Sequence, residues 1–206
     1  MDIESKRFDS QVTGEKKFIQ LRFVSATGFR EVDGHVRFDS RPLSDVAIRL
    51  VPGICGAPPP DAATLYADLS GIVTARVSGR EWYADVIAPG HVPTRMFVAL
   101  SGGLQSDPSS IQVKYLLPSQ PGTVVVSVAG GPPPVGTVIS VSLGTPVPQV
   151  ARDLCFSVAP DGMCELAMPI EVEAEYRAIL PNGRFGVARG IGSNFKIDLS
   201  QEDAGD

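Results

Sequence analysis

The sequence predicts an all-β protein built from two tandem, immunoglobulin-like β-sandwiches. Three observations lead there. Glycine (21) and proline (18) are plentiful in a chain of 206 residues, against average usage of roughly 7% and 5%, so turns punctuate it at short intervals. Between the turns lie runs of Val, Ile, Phe and Thr, with no long stretch spaced i, i+3, i+4, i+7 as a helix requires. The third observation is an internal repeat. Gly34-His35-Val36, leading to Pro42-Leu43-Ser44-Asp45-Val46, matches Gly122-Thr123-Val124, leading to Pro134-Val135-Gly136-Thr137-Val138. Ser70-Gly71-Ile72-Val73 matches Asp161-Gly162-Met163-Cys164, and Val86 to Gly90 matches Ala178 to Gly183. Landmarks in one order at similar spacing imply two copies of one β-rich unit.

Residues 1–30 precede the first copy and are read as an N-terminal arm or edge strand. From Lys17 to Phe23 the chain alternates, with Ile19, Leu21 and Phe23 on one side and Gln20 and Arg22 on the other. Phe18, Ile19, Leu21 and Phe23 are therefore candidate contacts with another subunit. Residues 31–117 form the first sandwich. Strands are expected at 32–38, 46–51, 65–69, 72–77, 81–88, 95–100 and 111–117. Asp39-Ser40-Arg41-Pro42 reads as a turn. The Pro-rich stretch 52–61 and the Gly/Ser-rich stretch 101–110 read as surface loops. Trp82, the single tryptophan, is expected to plug the inter-sheet core, with Tyr83 on the opposite face.

Residues 118–122 are the expected linker, 123–200 the second sandwich and 201–206 an acidic tail. Strands are expected at 123–128, 137–143, 154–158, 163–168, 172–180, 184–189 and 194–199. Ala159-Pro160-Asp161-Gly162 reads as the turn of a hairpin.

Composition excludes several classes of function. The net charge is −5, and no basic stripe exists to displace counterions from a phosphate backbone. No nucleic-acid partner is expected. No apolar run approaches the ~18–20 residues of a membrane span, and Met1 to Arg7 lacks the apolar core of a secretory signal. The expectation is a chain made in the cytoplasm, without a membrane partner.

Candidate chemistry is sparse. His35 and His91 each stand alone beside a glycine, read as surface or turn histidines without ligand-spaced partners. Asp85, Glu171, Glu173 and Glu175 alternate as solvated strand faces do. No nucleophile elbow or phosphate-binding loop is present. The expectation is no catalytic, cofactor or metal site. Three cysteines remain. Cys155 and Cys164 flank the expected hairpin, where Ser157 would oppose Cys164 and Leu166 would oppose Cys155. That places the two thiols diagonally: two buried free thiols, or a bridge if a bulge draws them together. Cys55, in the Pro-rich loop, is the candidate for an intermolecular bond.

Each copy resembles the carboxypeptidase regulatory-like (transthyretin-like) β-sandwich. The likeness rests on Gly34 and Val36 opening a strand, then Pro42, Leu43 and Val46, then Gly71. Trp82 to Pro93 completes it, with an aromatic-bearing strand ending in Ala-Pro-Gly. It covers residues 31–117 and, more weakly, 122–199. The resemblance implies an accessory, adhesive or assembly module without catalysis. With synthesis in the cytoplasm, an arm and tail suited to clasping between subunits, and no catalytic constellation, the expectation is a structural protein of a virion, such as a bacteriophage decoration, tail or adaptor component that contacts other structural proteins of the assembly or copies of itself. The alternative is a secreted or cell-surface module that grips a polysaccharide or protein through its loops.

Overall fold

The computed structural model describes residues 17–51, 63–77, 81–99, 111–143 and 154–199, without the side chains of Lys17, Glu81, Ala99, Leu154 and Cys155. Cys55, residues 1–16, the tail 201–206 and the two loops at 52–61 and 101–110 lie outside the described residues. Those described form strands and turns, with no helix.

The first sandwich contains β1 (Lys17–Val32), β2 (His35–Pro42), β3 (Ala47–Val51), β4 (Leu65–Tyr66), β5 (Ile72–Val77), β6 (Glu81–Ile87), β7 (Thr94–Ala99) and β8 (Ile111–Leu116). One sheet is built around β1, which pairs with β2, β5 and β8, and the other runs β4-β3-β6-β7. Ile19, Leu21 and Phe23 face Ile48, Val86, Met96 and Val98 across the layer. Trp82 packs, partly buried, against this core.

The second sandwich contains β9 (Ser119–Val128), β10 (Val138–Leu143), β11 (Leu154–Ser157), β12 (Met163–Pro169), β13 (Ala174–Ile179), β14 (Phe185–Gly190) and β15 (Asn194–Leu199). Its sheets run β12-β9-β15 and β11-β10-β13-β14. Strand for strand this repeats the first unit. β5-β1-β8 corresponds to β12-β9-β15, and β4-β3-β6-β7 to β11-β10-β13-β14. In each unit the first strand pairs in parallel with the last, Gln20–Ser25 with Ile111–Leu116 and Thr123–Val128 with Asn194–Leu199.

Four expectations are corrected. The described part of the supposed arm, from Lys17, belongs to the central strand of its sheet. Lys17–Arg22 pairs with β5 on one side, while Gln20–Ser25 pairs with β8 on the other. Ile19, Leu21 and Phe23 are 6%, 1% and 0% exposed, so they are core and not contacts for another subunit. Of the four candidates only Phe18 is exposed, at 60%, with the Arg76 guanidinium 5.7 Å from its ring centre. Alternation alone looks the same in an edge strand and a central one, because both bury a single face.

Second, β1 runs on to Val32 and turns back through Asp33-Gly34 into β2, so residues 39–42 are strand. Asp33 (φ 53°) and Gly34 (φ 72°) are both left-handed, as a two-residue type I′ turn requires. That Asp-Gly pair is a strong hairpin signal, which the repeat matching had absorbed into the start of a strand. The hairpin has no counterpart in the second unit. There β9 stops at the tight turn Ala129-Gly130, closed by the Val128–Gly131 bridge. The strand equivalent to β9 is therefore β1, not β2.

Third, residues 119–122 are no free linker. They open β9, with Gln120, Pro121 and Gly122 opposite Met168, Ala167 and Leu166.

Fourth, the turn at 159–162 joins two sheets. β11 pairs with β10 and β12 pairs with β9, so Cys155 and Cys164 sit on strands of opposite sheets and not on one hairpin. Both strands carry inward-facing apolar residues, and each buries them by completing a different layer. β13 also begins later than expected, at Ala174, which leaves Glu171 and Glu173 outside it.

The core of the second sandwich, around Ile139, Met168 and Tyr176, continues into the first unit. Ala26 (0% exposed), Val92 and Leu117 belong to it, and Phe29, Phe38 and Tyr115 pack against it. The extra hairpin is thus a splint: one face of β1 and β2 closes the end of the neighbouring sandwich. Each buried side chain of this size contributes about 1.5–3 kcal/mol, so the joint is held by core burial.

Candidate functional site

Two of the buried polar side chains, Ser25 and His91, meet beside the joint. His91 lies in the turn between β6 and β7, is 8% exposed, and has both ring nitrogens engaged. Nδ1 is 2.9 Å from the Pro89 carbonyl, which can only accept, so Nδ1 carries the proton. Nε2 is 2.8 Å from the Ser25 hydroxyl on β1 and, in the neutral ring, accepts its proton. His91 is therefore a structural clamp: it sits in a turn, one of the two places expected, but is buried and not on the surface. A lone histidine in a Pro-Gly turn carries no local sign that a distant strand will cover it.

Around this clamp hydrogen bonds from backbone N–H groups cross the joint. Gly28 N–H donates to the Glu171 carboxylate at 2.8 Å, and Ile170 N–H donates to the Pro118 carbonyl at 3.3 Å. Within the first unit and the start of β9, Val92 N–H donates to Leu117 O and Ser119 N–H to Gly90 O, both at 2.9 Å. Glu171, expected on a solvated strand face, instead ties the second unit to the β1–β2 hairpin.

Beside the joint lies an open groove of about 680 Å³, bounded by Gly90 of the first unit and by Gln120, Thr123, Glu165, Ser193 and Asn194 of the second. Glu165, Thr123 and Asn194 stand side by side on three adjacent strands. The lining combines hydroxyl and amide groups and one carboxylate with the apolar Pro121, Leu166 and Ala167.

The ionisable groups elsewhere are mostly spent on structure. Asp85 and Arg95 form a bidentate pair across β6 and β7, with Nη2–Oδ2 at 2.8 Å. Burial pushes the Glu175 carboxyl up, but hydrogen bonds and charges from Arg189 and Arg177 outweigh it and hold the group below the usual range. Lys114 is 7% exposed and donates to the Phe97 carbonyl at 3.0 Å, with burial lowering its pKa. It bridges the edge strands of the two sheets. Sequence reasoning missed it, because a Lys in a short strand is normally assigned to the wet face. Cys164 is a buried free thiol whose pKa burial raises. Among the described residues no three His, Cys, Asp or Glu side chains come together as a metal site would require.

Exposed apolar side chains mark the outer faces. Tyr66 (74%) and Ile87 (63%) flank Ala47 on the first sandwich, and Phe185 (56%) and Val187 (39%) line edge strand β14 on the second. Among the described strands β2 is the most open: every residue of it except Phe38 is exposed.

No protein-family model matches this chain, and no curated protein does. Solved structures similar to it include the shaft pilin SpaA of Lactobacillus rhamnosus GG, at 12% identity and a TM-score of 0.37, covering 90% of this chain and 98% of that one. A streptococcal ancillary pilin aligns at 11% identity and a TM-score of 0.30, covering 90% and 63%. A DUF3823 family protein from Parabacteroides merdae aligns at 12% identity and a TM-score of 0.27, covering 84% and 98%. At these scores the likenesses assign no family and carry no argument about function.

Proposed function

We propose that this chain is a non-catalytic structural module that works through protein–protein contacts, at a cell surface or outside the cell. The observation that supports it is the construction of the joint. A duplicated sandwich is welded into one body by a shared core, a hairpin splint and the hydrogen bond from Gly28 to the Glu171 carboxylate. Such a body holds its open strand edges and outer faces at a set spacing, as an assembly or spacer unit must. The resemblance of each unit to the carboxypeptidase regulatory-like sandwich belongs to the same proposal.

The virion reading was motivated in part by a free N-terminal clasp. The described part of that segment, from residue 17, is instead the central strand of the first sheet, which removes that support. For a module that grips a glycan or a protein, the groove at the joint is one candidate surface; the loops at 52–61 and 101–110 lie outside the described residues.

The test is the solution mass of the full-length protein across concentration, with binding measured to purified cell-envelope proteins and to envelope glycans from its source. Discrete oligomers, or saturable binding to a defined envelope protein, support the assembly role. A strict monomer that binds glycan alone moves the function to carbohydrate recognition. Turnover of any substrate by the purified chain would overturn the non-catalytic reading.

A further inference from the structure

The most exposed of the described strands also carries a self-complementary sequence. β2 reads His35-Val36-Arg37-Phe38-Asp39-Ser40-Arg41-Pro42 and pairs only with β1, which leaves its other edge with unpaired N–H and C=O groups among the described residues. An open strand edge is a template for another strand. Proteins normally blunt such an edge with charges and proline, and β2 has both. Its charges, however, alternate in sign along one face. Arg37, Asp39 and Arg41 are all exposed on the same side, and Arg37 lies directly opposite Arg30 of β1, a like charge. Asp39 bonds Arg30 at 3.2 Å in a pair whose members are 54% and 70% exposed. Within the chain, then, Arg37 has a like charge opposite it, and the carboxylate beside it, Asp39, is bound to Arg30.

We infer that β2 pairs edge to edge with β2 of a second copy of this chain, antiparallel and centred on Phe38. In that register Arg37 stands opposite Asp39 of the second copy, twice by symmetry. His35 meets Arg41, and Val36 (41% exposed) meets Ser40. Directly opposed opposite charges favour a strand pair and like charges disfavour it. A register centred on Arg37 would oppose two arginines at its middle. One centred on Asp39 would oppose two aspartates and set Arg37 against Arg41. A register centred on Ser40 also brings Asp39 to Arg41, but it overlaps only residues 38–42 and ends on Pro42, which has no N–H to give. The Phe38 register overlaps residues 35–41, as far as the one centred on Asp39, and it alone of the two satisfies the charges. Because the twofold relation is isologous, it closes at a dimer. The two splinting hairpins would then form one continuous sheet between two rigid bodies.

This inference rests on the reading of the chain as a protein–protein assembly unit and names one interface and one partner for it. The test uses the full-length chain and two charge reversals, Arg37→Asp and Asp39→Arg. Each alone opposes like charges across the dyad, whereas a mixture of the two variants restores two opposite pairs. Wild type should show a concentration-dependent dimer by sedimentation. Each variant should associate at least tenfold more weakly, and the equimolar mixture should recover heterodimer. Val36→Cys and Ser40→Cys copies, mixed and oxidised, should cross-link above the wild-type background, a readout that survives poor folding of either charge variant. Cross-linking of Ser40→Cys to itself alone would place the dyad on Ser40 and overturn the Phe38 register. A mixture that fails to associate while wild type still oligomerises overturns β2 pairing and leaves the assembly role intact. A wild type that stays monomeric yet binds envelope protein does the same. A wild type that neither self-associates nor binds protein ends both.

Discussion

Gly71 and Gly162 hold the same place in the two sandwiches. Each takes a left-handed φ (76° and 86°), and each carbonyl accepts, at 2.8 Å, the N–H of a residue on its unit's first strand, Phe23 or Val126. A Cβ on Gly71 would lie 2.8 Å from the Phe23 and Leu43 carbonyl oxygens, and one on Gly162 closer still to that of Val126. Left-handed backbone costs a non-glycine residue about 1–2 kcal/mol, and here the clash with backbone adds to it. Gly71→Ala and Gly162→Ala should each destabilise the protein by more than about 2 kcal/mol. Gly90→Ala is the control: φ is 69° but nothing lies within 4 Å, so only the conformational cost applies. Urea denaturation of the three variants measures the difference.

The clamp at the joint predicts a second asymmetry. Ser25→Ala leaves His91 Nε2 buried without its partner, and such a group costs about 1–3 kcal/mol. Because the clamp holds β1 to the turn beside the shared core, the loss should appear in amide hydrogen exchange as faster opening of the joint. Strands β13 and β14, remote from it, should keep their protection.

Alkaline pH should act on two buried groups in opposite directions. The Tyr176 phenol is pushed up to about 12 by burial, from 10.0. Between those values the folded state holds a proton that the unfolded chain has released, so stability falls as pH rises from 10 to 12, by up to about 2–3 kcal/mol. Lys114 is lowered from 10.5 by burial. Below pH 10.5 the unfolded chain holds more protons at this site, so its contribution to stability rises as pH climbs toward 10.5. Tyr176→Phe should abolish the fall above pH 10, and Lys114→Met should flatten the rise below 10.5. Thermal melts across pH 7–12 check both, and an unchanged fall in Tyr176→Phe would refute the assignment.

Cys164 should behave as an inert core thiol. It is 4% exposed and its pKa is raised, so the thiolate is scarce and shielded. Alkylation at this site, followed by peptide mass spectrometry at pH 8, should proceed only as fast as the protein opens. It should accelerate sharply through the urea transition. Fast labelling in native buffer would contradict the packing around β12.

Much of the strand pattern was legible from residues alone. The limits of β5, β8, β12 and β15 agree with the sequence reading to within about two residues. Turn chemistry and period-two alternation are local, and Gly71, Pro89-Gly90, Gly162 and Asn182-Gly183 carry them openly. The hairpin at Asp33-Gly34 was equally legible, but matching Gly34 to Gly122 hid it. The interaction features were less legible. His91, Ser25, Lys114 and Glu171 are ordinary surface residue types whose roles depend on partners 17 to 143 positions away.

The sequence by itself determined that this chain is all-β, where most of its strands lie, and that one unit occurs twice. Only the tertiary structure decided which sheet each strand entered. An inward-facing row such as Ile19, Leu21 and Phe23 is written the same way for an edge strand as for the middle of a sheet. The choice was made by long-range pairing, when β5 and β8 closed on both sides of β1. The same closure turned the supposed arm into core, put Cys155 and Cys164 in opposite layers, and left β2 as the open edge.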